Sequence, residues 1–174
     1  MLLKSFARLY WNFRLPPNKV KLFLTDVDGV MTDGGMYYTE SGDEFKKFQV
    51  QDGMGLLFLR EAGLQVGIVT AEARELNRRR AEKLKIEHYY PGEKDKLTRV
   101  KLLCQKLNIH LHEVAFIGDD INDWEVLSAV GFRACPSNAR PEIKNISRIK
   151  KLSVKGGDGA VRAWIDFLKD LGRI

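Results

Sequence analysis

The sequence predicts an α/β fold, a Rossmann-like three-layer sandwich with helices on both faces of a central parallel sheet. Two observations support this prediction. Short apolar runs alternate along the chain with longer segments of helical periodicity, which is the pattern of βαβ units. The apolar runs are also nearly continuous, as is typical of strands that are buried on both faces. The 174 residues suffice for a single domain with its own core.

Each element has its own signal in the sequence. Apolar runs bounded by glycine or acidic residues predict four strands, namely Val20–Thr25, Gln65–Thr70, Val114–Ile117 and Phe132–Cys135. Apolar residues at helical spacing predict five helices, namely Gly53–Ala62, Ala73–Leu84, Lys96–Leu107, Asp123–Val130 and Gly159–Leu171. Between residues 34 and 49, two strand-like pieces flank Glu40-Ser41-Gly42-Asp43 and predict a small protruding β-hairpin.

Residues 1–18 are predicted to be an amphipathic extension that precedes a domain spanning residues 19–174. Leu3, Phe6, Leu9 and Phe13 recur at helical spacing with basic residues between them. We expect this helix to pack on its own domain or on a partner subunit, and the alternative is a position on a membrane surface. The segment has no unbroken apolar core or cleavage site of a secretory signal, so a cytoplasmic protein is expected.

The remaining composition excludes several classes of partner. No apolar run approaches the roughly 20 residues that span a bilayer, so no membrane span is expected. The net charge is +6, but no aromatic residues interleave Arg78-Arg79-Arg80, and we expect no nucleic-acid binding. The cysteines and the histidines show no metal-ligand or catalytic spacing, and buried thiols are expected at Cys104 and Cys135.

Acidic residues follow two of the predicted strands. Asp26 and Asp28 come directly after the first strand and would lie on the same face, two residues apart. Asp119 follows Val114–Ile117 after a single glycine. Parallel sheets bind ligands beyond the carboxyl ends of their strands, so these groups should meet there. Carboxylates this close repel each other unless a cation or a shared proton lies between them, and the oxygen-rich set predicts a site for a hard divalent ion such as Mg²⁺.

The same strand ends hold the groups that hydrolysis of a phosphomonoester requires. An aspartate can act as the nucleophile, and a second carboxylic acid can protonate the leaving group. A hydroxyl donor and a cation would complete the set. Thr70 ends the second predicted strand, and Lys96 opens a helix whose N-terminus favours anions.

These residues resemble the four ordered motifs of the haloacid dehalogenase superfamily. The motifs are Asp26-Val27-Asp28-Gly29-Val30, Thr70, Lys96 and Gly118-Asp119-Asp120-x-x-Asp123. The resemblance implies that Asp26 is the nucleophile and that Asp28 is the general acid and base. It also implies that Thr70 and Lys96 hold the phosphoryl group.

The resemblance also implies a magnesium site. Its ligands would be Asp26, Asp28 through its backbone carbonyl, and Asp119. Asp120 and Asp123 would be supporting acids, and Asp123 would anchor the site from behind.

Further motifs resemble those of the capless 3-deoxy-D-manno-octulosonate 8-phosphate phosphatases. They are Thr32-Asp33-Gly34-Gly35, Phe45-Lys46-Lys47-Phe48, Asp52-Gly53-x-Gly55, Asp95-Lys96-Leu97, Asp119-Asp120-x-x-Asp123-Trp124 and Gly156-Gly157-x-Gly159-Ala160-Val161-Arg162. The resemblance implies a homotetramer in which neighbouring subunits cover each site, with Gly34 and Arg162 contacting substrate. Independently, residues 29–69 and 71–95 leave no room for a cap domain.

One position departs from that subfamily. Its members typically carry Thr-Gly-Arg after the second strand, whereas this chain has Thr70-Ala71-Glu72. Glu72 and Lys83 resemble residues of relatives that act on nine-carbon acid 9-phosphates of the sialic acid type. We predict that Glu72, Arg80 and Lys83 contact the substrate, and helical spacing also places Arg79 in line with Glu72 and Lys83. The alternative is an ordinary solvated helix face.

The sequence therefore predicts a magnesium-dependent phosphatase of a 2-keto-3-deoxy sugar acid phosphate, with eight or nine carbons, that forms an aspartyl-phosphate. Two alternatives remain. One is a phosphatase of broad range among sugar phosphates. The other is a non-catalytic regulatory partner of a sugar-acid cytidylyltransferase.

Overall fold

A computed structural model of the protein describes residues 9–174, in which helices and parallel strands alternate. The strands are β1 Leu22–Thr25, β2 Tyr37–Tyr38, β3 Glu44–Phe45, β4 Gln65–Val69, β5 His88–Tyr90, β6 Val114–Ile117, β7 Phe132–Cys135 and β8 Lys150–Lys151. The helices are α1 (residues 9–14), α2 Val50–Glu61, α3 Glu75–Lys83, α4 Lys96–Leu107, α5 Trp124–Ala129, α6 Pro141–Lys144 and α7 Ala160–Asp170. Short 3₁₀ turns precede β6 and α5, at Leu111–Glu113 and Ile121–Asp123.

Six strands form one sheet in the order β5-β4-β1-β6-β7-β8, and all of its neighbouring pairs are parallel. The chain runs outward from β1 to β4 and β5 and then returns to the other side of β1 with β6. The position of β1 is thus a topological switch point, where open α/β sheets bind ligands. The antiparallel pair β2–β3 stands apart as the predicted hairpin.

Side chains of β1 point alternately into two apolar layers. Leu22 and Leu24 pack with residues of α4 and α5 on one face, while Phe23 packs with residues of α2 and α7 on the other. All three side chains are fully buried. The near-continuous apolar run is therefore explained by burial on both faces, and the predicted three-layer sandwich is confirmed.

The connections after β1 and β4 are short. Within residues 9–174, β1 leads to β4 through the hairpin and α2, and β4 leads to β5 through α3 alone. Neither connection holds a cap domain, as predicted.

Several element boundaries differ from the prediction. Helix α2 begins three residues earlier, because the Gln49 side chain accepts from the backbone N–H of Val50 and caps it. Helix α3 begins only at Glu75, since residues 71–74 leave the sheet edge as irregular chain. Strands β5 and β8 and helix α6 were not predicted, because two to four residues carry no periodicity.

The amino-terminal helix packs on its own domain, but through a different face than the predicted apolar stripe. Trp11 meets the ring of Phe167 edge to face, with their centroids 5.6 Å apart, and Leu15 is buried. Leu9 and Phe13 of the predicted stripe are exposed, Phe13 by 82%. Leu3 and Phe6 lie outside the described residues. No helix within residues 9–174 has the length and apolar character needed to cross a membrane.

Candidate active site

Three neighbouring strands end at one cavity of about 240 Å³. Asp26 follows β1, Thr70 follows β4, and Asp119 follows β6. The cavity is lined by Asp26, Asp28, Gly29, Gly34, Thr70, Ala71, Glu72, Asp119, Asp120 and Asn122. The structure therefore brings together most of the predicted site residues, from segments that are far apart in the sequence.

Lys96 lies at the bottom of the site and binds two carboxylates. Its Nζ donates a hydrogen bond to Asp123 Oδ1 at 2.6 Å and lies 3.0 Å from Asp26 Oδ1. All three side chains are buried. Lys96 is the first residue of α4, which Asp95 caps by accepting from the Thr98 N–H at 3.0 Å. The capped helix fixes the backbone position of Lys96, and the two carboxylates fix the position of its Nζ.

Asp123 organises the loop that follows β6. Its Oδ2 accepts from the backbone N–H groups of Asp119 at 3.0 Å and Asp120 at 3.5 Å, while its Oδ1 accepts from Lys96. A Cβ on Gly118 would lie 2.5 Å from the Asp123 carboxylate, so the loop can close in this way only with glycine at that position. Asp123 thus holds the backbone of Asp119 in place.

A cluster of carboxylates surrounds the point where a cation would bind. Oxygens of Asp26, Asp119 and Asp123 lie within 4.8 Å of one another, and none of residues 9–174 donates a hydrogen bond to the buried Asp119 Oδ1. Burial and the neighbouring carboxylates raise the pKa of Asp119 to about 8. Burial and Asp123 also raise the pKa of Asp26, although Lys96 opposes this. A single lysine leaves these three carboxylates undercompensated, and an oxygen-rich set of this kind fits a hard divalent cation.

The Asp28 side chain lies outside this cluster. Its Oδ1 accepts from Lys46 Nζ at 2.7 Å, and its Oδ2 is buried with no partner in the described part of the chain. The carboxylate cluster therefore consists of Asp26, Asp119 and Asp123, whereas Asp28 was expected to bind the metal through its backbone carbonyl and not through its side chain. A role for Asp28 through its backbone carbonyl remains compatible with this geometry.

Lys46 was not predicted as a site residue. It follows β3, and its Nζ donates both to Asp28 and to Glu72 Oε2, the latter at 3.0 Å. The one signal was its place in the Phe45-Lys46-Lys47-Phe48 motif. Sequence alone did not distinguish it from Lys47, which pairs with Asp158 on the surface.

Gly29 shapes the wall between the two acidic segments. Its φ is +80°, and an added Cβ would lie 2.1 Å from Asp119 Oδ2. Glycine is thus required here both for its backbone conformation and for the close approach of the carboxylate.

Three predicted substrate contacts are not in the cavity of this chain. The Arg80 guanidinium donates to the Gln49 carbonyl at 3.1 Å, and the Arg162 Nε pairs with Asp166 at 2.9 Å. Lys83 is exposed near the end of α3. The predicted line of Glu72, Arg79 and Lys83 does not form, because Glu72 precedes α3 and is not helical.

Comparisons with known proteins agree with this geometry. A family model described as haloacid dehalogenase-like hydrolase matches residues 70–163. The 3-deoxy-D-manno-octulosonate 8-phosphate phosphatase KdsC of Yersinia pestis is 38% identical over 153 residues, covering 86% of this chain and 79% of that protein. KdsC of Escherichia coli K12 is 37% identical over 150 residues, with the same two coverages.

Solved structures show the same similarity. The Moraxella catarrhalis 3-deoxy-D-manno-octulosonate 8-phosphate phosphatase, in complex with magnesium, phosphate and KDO, superposes with a TM-score of 0.82. It is 38% identical, and the match covers 87% of each chain. A haloacid dehalogenase superfamily (subfamily III A) hydrolase from Legionella pneumophila gives a TM-score of 0.88 at 35% identity, covering 98% of this chain and 93% of that one. The chain therefore belongs to the haloacid dehalogenase-like hydrolases, in the group of the 3-deoxy-D-manno-octulosonate 8-phosphate phosphatases.

Proposed function

We propose that this phosphoric monoester hydrolase releases phosphate from a 3-deoxy-2-keto sugar acid phosphate, with Mg²⁺ as its cofactor and an aspartyl-phosphate as its intermediate. The main support is the meeting of two aspartates, a threonine and a buried lysine beyond three adjacent strands. The names of the relatives support the substrate class.

Each of these residues has a role in the proposed reaction. Asp26 attacks phosphorus, and the bond between phosphorus and the sugar oxygen breaks. Asp28 gives its proton to the departing alkoxide and then takes a proton from the water that cleaves the aspartyl-phosphate. Lys96 and Thr70 bind the phosphoryl oxygens, and the positive charge of Lys96 opposes the negative charge that they carry. The second step restores Asp26 and frees phosphate.

Asp26, Asp119 and the backbone carbonyl of Asp28 would hold the Mg²⁺ ion. When bound, the ion supplies positive charge that offsets the charge of the phosphoryl oxygens. The orphaned buried oxygen of Asp119 supports this assignment, because such an atom requires a partner. Asp123 would support the site indirectly, by holding Lys96 and the backbone of the loop that follows β6.

The length of the sugar acid is part of the proposal. Glu72 lines the cavity and remains a candidate contact for the far end of the substrate. We keep the eight-carbon and the nine-carbon acids as alternatives, and the named relatives favour the eight-carbon acid.

A homotetramer remains a further proposal, in which the hairpin around Gly42 and the segment Gly156–Arg162 would complete the site of a neighbouring subunit. An apolar surface on the hairpin and α2 supports association, since its side chains are exposed in the single chain. The residues concerned are Met36, Tyr37, Tyr38, Phe45, Val50, Met54 and Phe58. The cytoplasm is the compartment we propose, because Cys104 and Cys135 are both buried free thiols.

Release of inorganic phosphate tests the proposed function. The wild type with Mg²⁺ should hydrolyse 3-deoxy-D-manno-octulosonate 8-phosphate, and Asp26→Asn should abolish turnover, because the amide is a poor nucleophile. Asp170→Asn is the matched control, since Asp170 is exposed at the end of α7. A normal rate in Asp26→Asn would refute the covalent mechanism. Equal rates across unrelated sugar phosphates would favour the broad-range alternative, and no release from any of them would favour the non-catalytic one.

A further inference from the structure

We infer that Lys46 is a positioning residue for the proposed general acid Asp28, and that Glu72 acts on the reaction by holding Lys46 in place. This inference rests on the proposed role of Asp28. It adds a residue outside the sequence-predicted site, and it gives Glu72 a function that is independent of the length of the substrate.

The contacts of Lys46 are those of a buried bridge. Its side chain is only 2% exposed, and its Nζ lies 2.7 Å from Asp28 Oδ1 and 3.0 Å from Glu72 Oε2. Asp28 and Glu72 are more open, at 34% and 39%. The cation is thus enclosed between two carboxylates that border the cavity, which is a costly place for a lysine without a specific partner.

The backbone on each side of the bridge is anchored. Phe48, two residues beyond Lys46, forms an isolated antiparallel bridge with Thr32 in the loop that follows β1. On the other side, Glu72 comes two residues after Thr70, and its N–H faces the Thr70 hydroxyl at 3.4 Å. The lysine therefore connects the hairpin to the end of β4 directly over Asp28.

The bridge distinguishes the two oxygens of Asp28. A carboxylic acid that protonates a leaving group carries its proton on one oxygen and leaves the other as an acceptor. Lys46 occupies Oδ1, while Oδ2 is buried and has no partner. Lys46 therefore holds the carboxylate through Oδ1 and leaves Oδ2 as the oxygen of Asp28 to which none of the described residues donates. In the second step the same ammonium stabilises the carboxylate that accepts a proton from water.

Glu72 supplies the second point of attachment. A lysine side chain has many rotamers, and one hydrogen bond does not select among them as two do. Arg74 reinforces the arrangement at a longer distance, since its Nε lies 3.8 Å from Glu72 Oε2 and its guanidinium lies 3.8 Å from Glu44. Loss of Glu72 should therefore affect every substrate whose leaving group requires a proton, whether its tail is long or short.

The test compares two leaving groups. An alkoxide needs protonation as it departs, whereas nitrophenolate is a weak base and needs little. The variants are Lys46→Met, Glu72→Gln and the double variant. Lys47→Met is the matched control, because Lys47 is the next residue and pairs with the half-exposed Asp158. For each protein, kcat and KM are measured on 3-deoxy-D-manno-octulosonate 8-phosphate and on p-nitrophenyl phosphate at saturating Mg²⁺, with thermal unfolding as the folding check.

We expect Lys46→Met to lower kcat/KM on the sugar acid phosphate about 10- to 100-fold, a part of what a general acid contributes. The loss on p-nitrophenyl phosphate should be at most about threefold. Glu72→Gln should show a smaller loss with the same preference, and the double variant should match Lys46→Met within about twofold, since both act through one contact. The control should behave as the wild type.

Three results would overturn the inference. They are equal losses on both substrates, a double variant whose loss is the product of the single losses, and a loss confined to KM of the sugar acid. The last would make Lys46 a contact of the substrate carboxylate. A wild type that releases no phosphate from either the eight-carbon or the nine-carbon acid phosphate would instead refute the proposed function, and the comparison of leaving groups would then use glycerol phosphate. If Lys46→Met does not fold, Glu72→Gln still decides, because Glu72 is partly exposed.

Discussion

Replacement of Lys96 by methionine should destabilise the protein strongly, and the structure indicates by how much. Methionine keeps a flexible chain of similar length but removes the charge. Lys96 is 1% exposed and contacts the carboxylates of Asp26 and Asp123. Removal of one partner from a buried ion pair typically costs about 3–5 kcal/mol, because a buried charge is left without compensation. For a domain of this size, each kcal/mol lowers Tm by about 2–4 °C, so a fall of about 6–20 °C is expected.

Differential scanning calorimetry in EDTA would measure this fall in Tm, with Lys47→Met as the control at an exposed pair. Magnesium provides a second measurement. Within residues 9–174, Lys96 is the one lysine or arginine that pairs with the cluster of Asp26, Asp119 and Asp123, so the variant keeps no such partner there. A cation that binds the folded state stabilises it, so Mg²⁺ should raise the Tm of the variant more than that of the wild type.

Two results would contradict this reasoning. A fall in Tm of less than about 3 °C in EDTA would mean that Lys96 is not the main compensating charge. Equal Tm increases by Mg²⁺ in the two proteins would mean that the metal and the lysine do not share the same carboxylates. Activity should be lost in either case if Lys96 binds the phosphoryl group, so calorimetry is the measurement that decides.

Two other substitutions test Gly29, which borders the cavity, and the buried carboxyl group of Asp52. Gly29→Ala should raise the Mg²⁺ concentration for half-maximal activity, because the added Cβ would collide with Asp119. Gly63→Ala is the control, since Gly63 has a similar φ of +83° but open space around it, and it should leave that concentration unchanged. Burial raises the pKa of Asp52 to about 6. Between about pH 4 and pH 6 the folded chain therefore retains a proton that the unfolded chain releases. The contribution of Asp52 to the free energy of unfolding consequently falls as the pH rises through that range. Asp52→Asn keeps an oxygen acceptor for the Arg162 N–H but does not titrate. Its free energy of unfolding, measured in urea, should therefore rise by about 3 kcal/mol relative to that of the wild type between pH 4 and pH 7. Parallel pH profiles for the two proteins would contradict the raised pKa of Asp52.

The sheet and the ends of its strands were predictable because local sequence determines them. An apolar run that stops at Asp26 or at Gly118-Asp119 marks both a buried strand and the point where its backbone reaches solvent. Parallel strands place such points on one edge, and convergence of the acidic segments follows without knowledge of the strand order. The parallel α/β fold and the meeting of Asp26, Thr70 and Asp119 were therefore predicted correctly.

The contacts that depend on loop geometry were not predictable in the same way. Glu72 was assigned to a helix because its spacing to Lys83 fits one, yet the chain after Thr70 remains irregular until Glu75. Lys46 reaches Asp28 because a hairpin folds over the strand ends, and no periodic pattern reports the direction in which a hairpin folds. Asp123 entered the carboxylate cluster for a similar reason, since a tight turn at Gly118 brings it back towards β1.

Charge compensation relates these separate contacts to the proposed chemistry. Two buried lysines each bridge two acids, Lys96 between Asp26 and Asp123, and Lys46 between Asp28 and Glu72. Among the described residues, no lysine or arginine forms an ion pair with Asp119, whose Oδ1 is buried without a donor. An uncompensated buried carboxylate is a cost to stability, and such costs persist where function requires them. Asp119 is therefore the residue whose charge is best explained by a bound cation, and the two lysines are best explained by the acids that they orient.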